Sequence, residues 1–175
     1  MYKRQGPYSR DDDKHGLGDW EPSTKKLPRG LSYIAREALK RKVGFGIWLE
    51  PEMVNPQSEL YQKHPDWIIT QPKREPILGR HQEILDLTRP EVQHFEWQVI
   101  DNTLRPNPGV SYVKWDCNRY VTQPGSQYLP AQEQSHLLVD YNNALYRLMD
   151  RFARNYPDVT AMLCACLLYT SDAAD

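Results

Sequence analysis

Cysteine is scarce in this chain of 175 residues, which has three cysteines and no CxxC pair. That scarcity excludes a disulfide framework and a cysteine-based zinc site. The five histidines show no metal-ligand spacing, so we expect neither a metal ion nor another cofactor. An excess of one charge is missing too, because 22 basic and 23 acidic residues give a net charge of −1. Electrostatics therefore offers no case for a nucleic-acid partner or a membrane surface.

Long apolar runs are also absent. No run approaches 18 apolar residues, which excludes a transmembrane helix from the sequence as given. No charged segment followed by an apolar one opens the chain, so no signal peptide is visible. Where the ends are native, these two absences predict a cytoplasmic location for the parent protein. Aromatic residues are skewed toward five Trp and eleven Tyr against three Phe, a choice that suits both sugar stacking and core packing.

Helical and strand patterns alternate along the chain. Apolar residues three and four apart predict helices over 31–42, 88–105 and 137–152, with a shorter one over 58–64 and Thr88 as a candidate N-cap. Compact apolar runs predict strands centred near residues 47, 85, 113 and 162. This alternation favours parallel βα units, as in doubly wound sheets and (β/α)8 barrels. No glycine-rich phosphate loop follows a strand, which counts against a nucleotide-binding doubly wound fold.

Polar side chains collect where the strand near residue 113 ends, in the run Ser-Tyr-Val-Lys-Trp-Asp-Cys-Asn-Arg (111–119). Because strand side chains alternate between faces, Lys114 and Asp116 point the same way, and Asn118 follows if the strand geometry continues. Cys117 has the opposite parity and is expected in the packing layer behind the strand. A cation beside a carboxylate at a strand end is either a structural ion pair or part of a functional site.

Two further strand ends carry chemistry. Trp48 and Glu50 fall on one face at the end of the strand near residue 47, and the same parity extends to Glu52. Cys164 ends the strand near residue 162. Function in parallel βα folds collects at the carboxyl ends of the strands. Three strand ends that carry polar or reactive side chains therefore favour a functional site over an isolated structural ion pair.

Four longer motifs carry a family resemblance. They are Gly-Phe-Gly-Ile-Trp-Leu-Glu-Pro-Glu-Met-Val (44–54), His-Pro-Asp-Trp (64–67), Leu-Asp-Leu-Thr-Arg-Pro-Glu-Val (85–92) and Tyr-Val-Lys-Trp-Asp-Cys-Asn (112–118). In residue sequence and order these motifs resemble those of bacterial α-galactosidases of glycoside hydrolase family 36, over about residues 6–165. The resemblance implies an α/β fold, a partial (β/α)8 TIM barrel of about four βα units. It also implies a parent enzyme that hydrolyses terminal α-linked galactose from oligosaccharides with retention of configuration.

Carried over position by position, the resemblance implies that Asp116 is the catalytic nucleophile. Glu50 and Glu52 belong to a diagnostic motif without an assigned catalytic role, and we expect them to brace the site. A retaining glycosidase needs an ionised carboxylate and a second carboxyl about 5–5.5 Å away, and a lysine on the same face favours the ionised form. Five other positions match substrate-binding residues of the family: Trp48 as the aromatic wall of the sugar site, Arg80, Lys114, Asn118 and Cys164.

Both ends depart from the family's pattern. Met-Tyr-Lys-Arg-Gln (1–5) stands where the family has a galactose-binding Asp-Asp pair, and beyond Cys164 the family's glycine-rich turn and later acid/base aspartate are missing. We therefore expect residues 1–5 and 166–175 to be non-native ends and residues 6–165 to be part of a catalytic domain. Without the acid/base, the 175-residue chain alone is expected to be inactive. The parent could assemble as a homo-oligomer.

Two alternatives stay open. A raffinose-type galactosyl transferase of the same clan shares the covalent intermediate and differs in whether water or a sugar accepts the galactosyl group. For the truncated chain alone, the alternative is a non-catalytic carbohydrate-binding remnant. The residues downstream would discriminate an enzyme from a binder, because an acid/base aspartate there supports an enzyme.

Overall fold

The computed structural model describes residues 8–10 and 12–164, so the expectations for residues 1–5 and 166–175 lie outside the described residues. The helices are α1 (Gly30–Lys40), α2 (Glu59–Lys63), α3 (Pro90–Leu104) and α4 (Leu137–Asn155), with 3-10 helices over Pro65–Trp67 and Ala131–His136. The strands are β1 (Phe45–Leu49), β2 (Met53–Val54), β3 (Glu83–Ile84), β4 (Val110–Asp116) and β5 (Thr160–Cys164). Within those residues, no helix is both long and apolar enough to cross a membrane.

A parallel sheet in the order β1-β4-β5 is the frame of the described chain. Its register pairs Trp48 with Lys114 and Asp116 with Cys164. Helix α3 lies in the connection from β1 to β4, and α4 in the connection from β4 to β5. The predicted strands near residues 47, 113 and 162 are thereby confirmed, and their carboxyl ends meet at one edge of the sheet.

The predicted strand near residue 85 does not belong to this sheet. Strand β3 has only two residues and pairs antiparallel with β2 in a separate two-stranded sheet. The described parallel sheet therefore has three strands, and the prediction of about four βα units was wrong for this part of the chain. The apolar run is buried because it folds against the turn after β1, where the Leu85 amide donates to the carbonyl of Glu52 at 2.8 Å. Periodicity cannot distinguish such a run from a core strand.

The start of α3 also differs from the prediction. Arg89, not Thr88, is the N-cap residue, and it makes no side-chain capping bond. The Thr88 hydroxyl instead donates to Asp86 Oδ1 at 2.6 Å, and the Thr88 amide donates to the same oxygen at 3.0 Å. Asp86 thus stabilises the turn before the helix, while Pro90 occupies the first helical turn as predicted.

One hydrophobic core lies behind β4. Val113 and Trp115 point into it and are buried together with the apolar faces of α3 and α4. Cys117 is 3% exposed and belongs to the same cluster, which confirms that it lies in the packing layer. Alternation along β4 then turns Lys114 and Asp116 to the opposite face. The core therefore fixes the orientation of the polar strand end.

Candidate active site

Asp116 is the last residue of β4, and its buried carboxylate is held by neighbours on the same face. Trp48 Nε1 donates a hydrogen bond of 2.8 Å to Asp116 Oδ2. Lys114 Nζ lies 3.4 Å from the same oxygen. The predicted shared face of Lys114 and Asp116 is thus confirmed, and the neighbouring strand contributes the indole.

Both members of this ion pair are stabilised in their charged forms. Burial alone would raise the pKa of Asp116, but hydrogen bonds from Trp48 and Asn118 and the Lys114 charge outweigh it and leave that pKa below its ordinary value. Burial alone would lower the pKa of Lys114, but the Asp116 charge and a hydrogen bond with Cys164 raise it. Near neutral pH the site therefore holds an ionised carboxylate beside an ammonium group.

Asn118 connects this strand end to two other segments. Its backbone N–H and its side-chain Nδ2 both donate to Glu50 Oε1, at 3.0 and 2.7 Å. Arg80 Nη1 donates to Asn118 Oδ1 at 2.9 Å. Asn118 and Arg80, separated in the sequence by 38 positions, are therefore in direct contact.

Arg80 reaches the site from a two-residue turn. Arg80 and His81 have φ angles of 55° and 62°, in the left-handed region. Gly79 and Gln82 on either side exchange backbone hydrogen bonds of 3.3 and 3.0 Å. Two left-handed central residues match the twist of a tight hairpin. Neither residue is a glycine or asparagine, so the residue types do not indicate this turn.

Arg119 stabilises this turn through hydrogen bonds from its guanidinium. Its guanidinium donates to the carbonyl of Gln82 at 2.7 Å, to the Glu83 carboxylate and to the carbonyl of Ile77. A Cβ atom on Gly79 would come within 2.9 Å of Arg119 Nε, so only glycine lets the guanidinium approach this closely. The residue after Asn118 therefore positions the turn that carries Arg80.

Glu50 and Glu52 go to different sides of the sheet. Glu50 faces Asn118, whereas Glu52 accepts from Trp115 Nε1 at 2.8 Å and from the Tyr141 hydroxyl, in the layer behind β4. The predicted common face was wrong for Glu52, because β1 ends at Leu49 and a turn follows, which breaks the strand alternation. Each carboxylate braces β4, one on either side.

A pocket of about 140 Å³ opens over Asp116. Of the predicted residues, Trp48, Arg80, Asp116 and Asn118 line it. Lys114 contacts the Asp116 carboxylate at 3.4 Å. Cys164 is the neighbour of Asp116 on β5. The pocket is lined by Arg10, Asp12, Asp13, Trp48, Glu50, Arg80, Gln82, Asp116 and Asn118.

Four lining residues were not predicted from the sequence as site residues: Arg10, Asp12, Asp13 and Gln82. Gln82 adjoins the run predicted as a strand near residue 85, and the other three lie in a charged loop with no periodicity, which suggested only a solvated segment. Arg10 is 6% exposed and donates to the carbonyls of Asp12 and Asp13, at 2.9 and 3.2 Å. The available signal was an arginine within a run of acids, which is too common in surface loops to identify a site.

The chain is similar in sequence to known proteins. Residues 6–168 match the family model described as Melibiase. The chain is 42% identical over 156 residues to α-galactosidase AgaA of Geobacillus stearothermophilus, covering 89% of this chain and 21% of that protein. It is 38% identical over 157 residues to α-galactosidase 2 of Pediococcus pentosaceus, covering 90% and 22%. The chain thus spans about a fifth of the length of these curated relatives.

Solved structures give the same picture. The crystal structure of the GH36 α-galactosidase AgaA superposes with a TM-score of 0.84 at 42% identity, covering 89% of this chain and 21% of that one. The α-galactosidase from Lactobacillus brevis gives a TM-score of 0.84 at 40% identity, with the same coverage. Variants of AgaA have been solved in complex with stachyose and with raffinose, at TM-scores of 0.84 and 0.83.

Proposed function

The chain belongs to the melibiase family, and we propose that it is a catalytic segment of a retaining α-galactosidase. In this proposal the enzyme hydrolyses terminal α-linked galactose from oligosaccharides through a covalent galactosyl intermediate on Asp116. The observation that carries it is the buried Asp116 carboxylate, kept ionised by Trp48 and Lys114 at the floor of a pocket. Stachyose and raffinose, bound by AgaA variants, represent the class of substrate.

The proposed reaction has two displacements at the anomeric carbon. An oxygen of Asp116 forms a bond to that carbon while the bond to the leaving oxygen breaks and a second carboxyl protonates it. Water, deprotonated by that second group, then displaces Asp116 and restores the original configuration. The second carboxyl is proposed to come from a part of the enzyme outside this chain. The chain alone would then bind galactosides without turning them over.

The other predicted residues have roles consistent with their contacts. The indole face of Trp48 suits the C–H-rich side of galactose, while its N–H is occupied by Asp116. Arg80 and Lys114 offer N–H donors, and Asn118 and Cys164 offer further polar groups, to sugar hydroxyls. The first displacement needs an ionised nucleophile near neutral pH, which the lowered pKa of Asp116 supplies.

We propose in addition that the three-stranded sheet is part of a (β/α)8 barrel. Its order, with a helical crossover before each of β4 and β5, suits such a barrel. On β5, Met162 and Leu163 are 39% and 57% exposed, as expected of residues that further parts of a barrel would cover. A complete barrel takes about 250 residues, so this segment would supply a portion of it.

The experiment uses the longer enzyme, expressed from the coding sequence that extends this segment on both sides. Asp116→Ala should lower hydrolysis of an aryl α-galactoside by at least about 1,000-fold, and added azide should restore turnover and yield the β-galactosyl azide. Asp150→Ala, an exposed aspartate on α4, is the matched control. An Asp116→Ala enzyme with unchanged activity would refute the nucleophile. Turnover by the 175-residue chain alone would refute the missing acid/base.

A further inference from the structure

Glu50 belongs to the site but is shielded from it. Its side chain lines the pocket wall, yet the residue is 1% exposed. One oxygen, Oε1, accepts both N–H donors of Asn118, and the other, Oε2, lies 3.3 Å from Gln82 Nε2. A group enclosed in this way has little surface to offer a sugar. Whatever it contributes must pass through the residues that it holds.

The first of those residues is Asn118, whose amide has two distinguishable ends. Glu50 Oε1 accepts from the NH2 end, which leaves the carbonyl end, Oδ1, to accept from Arg80 Nη1. A reversed amide would set its oxygen against a carboxylate and its NH2 against a guanidinium, and both contacts would be mismatched. The backbone N–H bond to the same carboxylate fixes the residue as well as its side chain.

The second is Gln82, which closes the turn that presents Arg80. Gln82 Nε2 contacts Glu50 Oε2, and the backbone of Gln82 pairs with Gly79 across the turn. Glu50 therefore contacts both the end of β4 and the turn, the two segments that meet where Arg80 binds Asn118. Among the described residues Gln82 Oε1 is buried without a hydrogen-bond partner, so this amide could also serve as an acceptor.

We propose that Glu50 is a positioning residue, which orients the Asn118 amide and through it Arg80 in the proposed galactose site. The part of this inference that concerns the sugar rests on the proposed function. The part that concerns Asn118 rests on the hydrogen bonds alone.

The positioning depends on an acceptor oxygen at Oε1, not on a full negative charge. Burial raises the pKa of Glu50 to about 7, the nearby Asp116 charge adds to the rise, and hydrogen bonds from Asn118 oppose it. A proton on Oε2 would leave Oε1 free to accept from Asn118 and could be donated to Gln82 Oε1 once that amide turns over. Glutamine at position 50 has the same shape and the same acceptor, whereas leucine has neither an acceptor nor a donor.

The test compares Glu50→Gln and Glu50→Leu in the longer enzyme, with the exposed Glu133→Gln as control. The first measurement is the 15N NMR signal of the Asn118 backbone and side-chain amides. The second is the affinity for 1-deoxygalactonojirimycin, the ligand in a crystal structure of an AgaA variant. We expect Glu50→Gln and Glu133→Gln to leave the Asn118 signals in place. Their affinity for the ligand should stay within about 3-fold of the native value. Glu50→Leu should shift the Asn118 signals and weaken binding by about 10- to 100-fold, since it leaves buried donors unpaired.

The outcomes separate this inference from the proposed function. Glu50→Leu with native Asn118 signals overturns the positioning role, and so does Glu50→Gln that is as damaged as Glu50→Leu. If 1-deoxygalactonojirimycin does not bind the native longer enzyme while the Asn118 signals respond as expected, the galactose site fails and the positioning role stands. Should Glu50→Leu not fold, Glu50→Asp, which withdraws the acceptor by one methylene, is expected to shift the same Asn118 signals; unchanged signals there would also overturn the role.

Discussion

Trp48 and Asp116 face each other across the first two neighbouring strands of the sheet, and the indole N–H donates to the carboxylate at 2.8 Å. The register that pairs Trp48 with Lys114 makes this contact possible, because the residue two positions beyond Lys114 points to the same face. The carboxylate thus receives a neutral donor from one strand and a cation from its own.

Replacing the indole tests how Asp116 is kept ionised. Trp48→Phe keeps an aromatic face for the sugar but removes the N–H, so the pKa of Asp116 should rise and the acid limb of kcat/KM should move to higher pH. A hydrogen bond to a charged group contributes about 1.5–3 kcal/mol, so the acid limb should move up by about 1–2 pH units. At pH values below that limb, kcat/KM should fall about 10- to 100-fold. The measurement is the pH profile of the longer enzyme on an aryl α-galactoside, with Trp67→Phe, stacked on His64, as control. An unshifted acid limb would contradict this role.

The buried ion pair of Arg119 and Glu83 gives a prediction about stability. The side chains are 6% and 1% exposed, so Arg119→Met leaves a carboxylate buried without its cation and should cost about 3–5 kcal/mol of unfolding free energy. Adding Glu83→Leu removes the stranded charge. The double variant should therefore be more stable than the sum of the single variants predicts, by about 0.5–3 kcal/mol. Urea unfolding of the four chains measures the coupling, and strict additivity would show that the pair does not interact.

Two buried acids, Glu96 and Glu52, predict how stability depends on pH. Both oxygens of Glu96 are buried without a hydrogen-bond partner among the described residues. Burial first, and the Glu52 charge second, raise the pKa of Glu96 well above its ordinary value. A raised carboxyl pKa contributes stability that is complete below the unfolded value of about 4.5 and is lost as pH rises toward the folded value. The native chain should therefore be less stable at pH 8 than at pH 5.

Glu96→Leu should remove most of that dependence. Leucine fills the same core position without an unpaired polar group, so the variant should gain about 1–3 kcal/mol at pH 8 and less at pH 5. Urea unfolding at the two pH values checks this, with the exposed Glu91→Leu on the same helix as control. A gain of equal size at both pH values would point to packing and not to ionisation.

The strands that carry the site could be predicted from the sequence, but the contacts among its side chains could not. Alternation in β4 was enough to place Lys114 and Asp116 on one face and Cys117 on the other, because that strand stays regular through Asp116. The same argument failed at Glu52, where a turn follows β1 and local backbone geometry replaces the two-residue period.

Long-range contacts account for the rest. The match of Arg80 to a substrate-binding arginine came from a motif, yet nothing in its neighbours indicated two consecutive left-handed residues. That conformation depends on Arg119, 39 positions later by sequence number, whose guanidinium contacts carbonyls on both sides of the turn. The apolar run near residue 85 has the composition of a core strand, and only its pairing with β2 shows otherwise.

The C-terminus of α1 offers a prediction that is independent of the site. Lys42 has a φ angle of 59°, its N–H donates to the carbonyl of Leu39, and the N–H of Val43 donates to that of Ala38. This is the Schellman arrangement, in which the left-handed position is usually glycine because a Cβ atom is strained there. Lys42→Gly should therefore raise the free energy of unfolding by about 0.5–1 kcal/mol, whereas Lys42→Ala keeps the strained Cβ and should not stabilise. Urea unfolding of the two variants decides the point, because equal effects would trace to the lost lysine side chain and not to backbone strain.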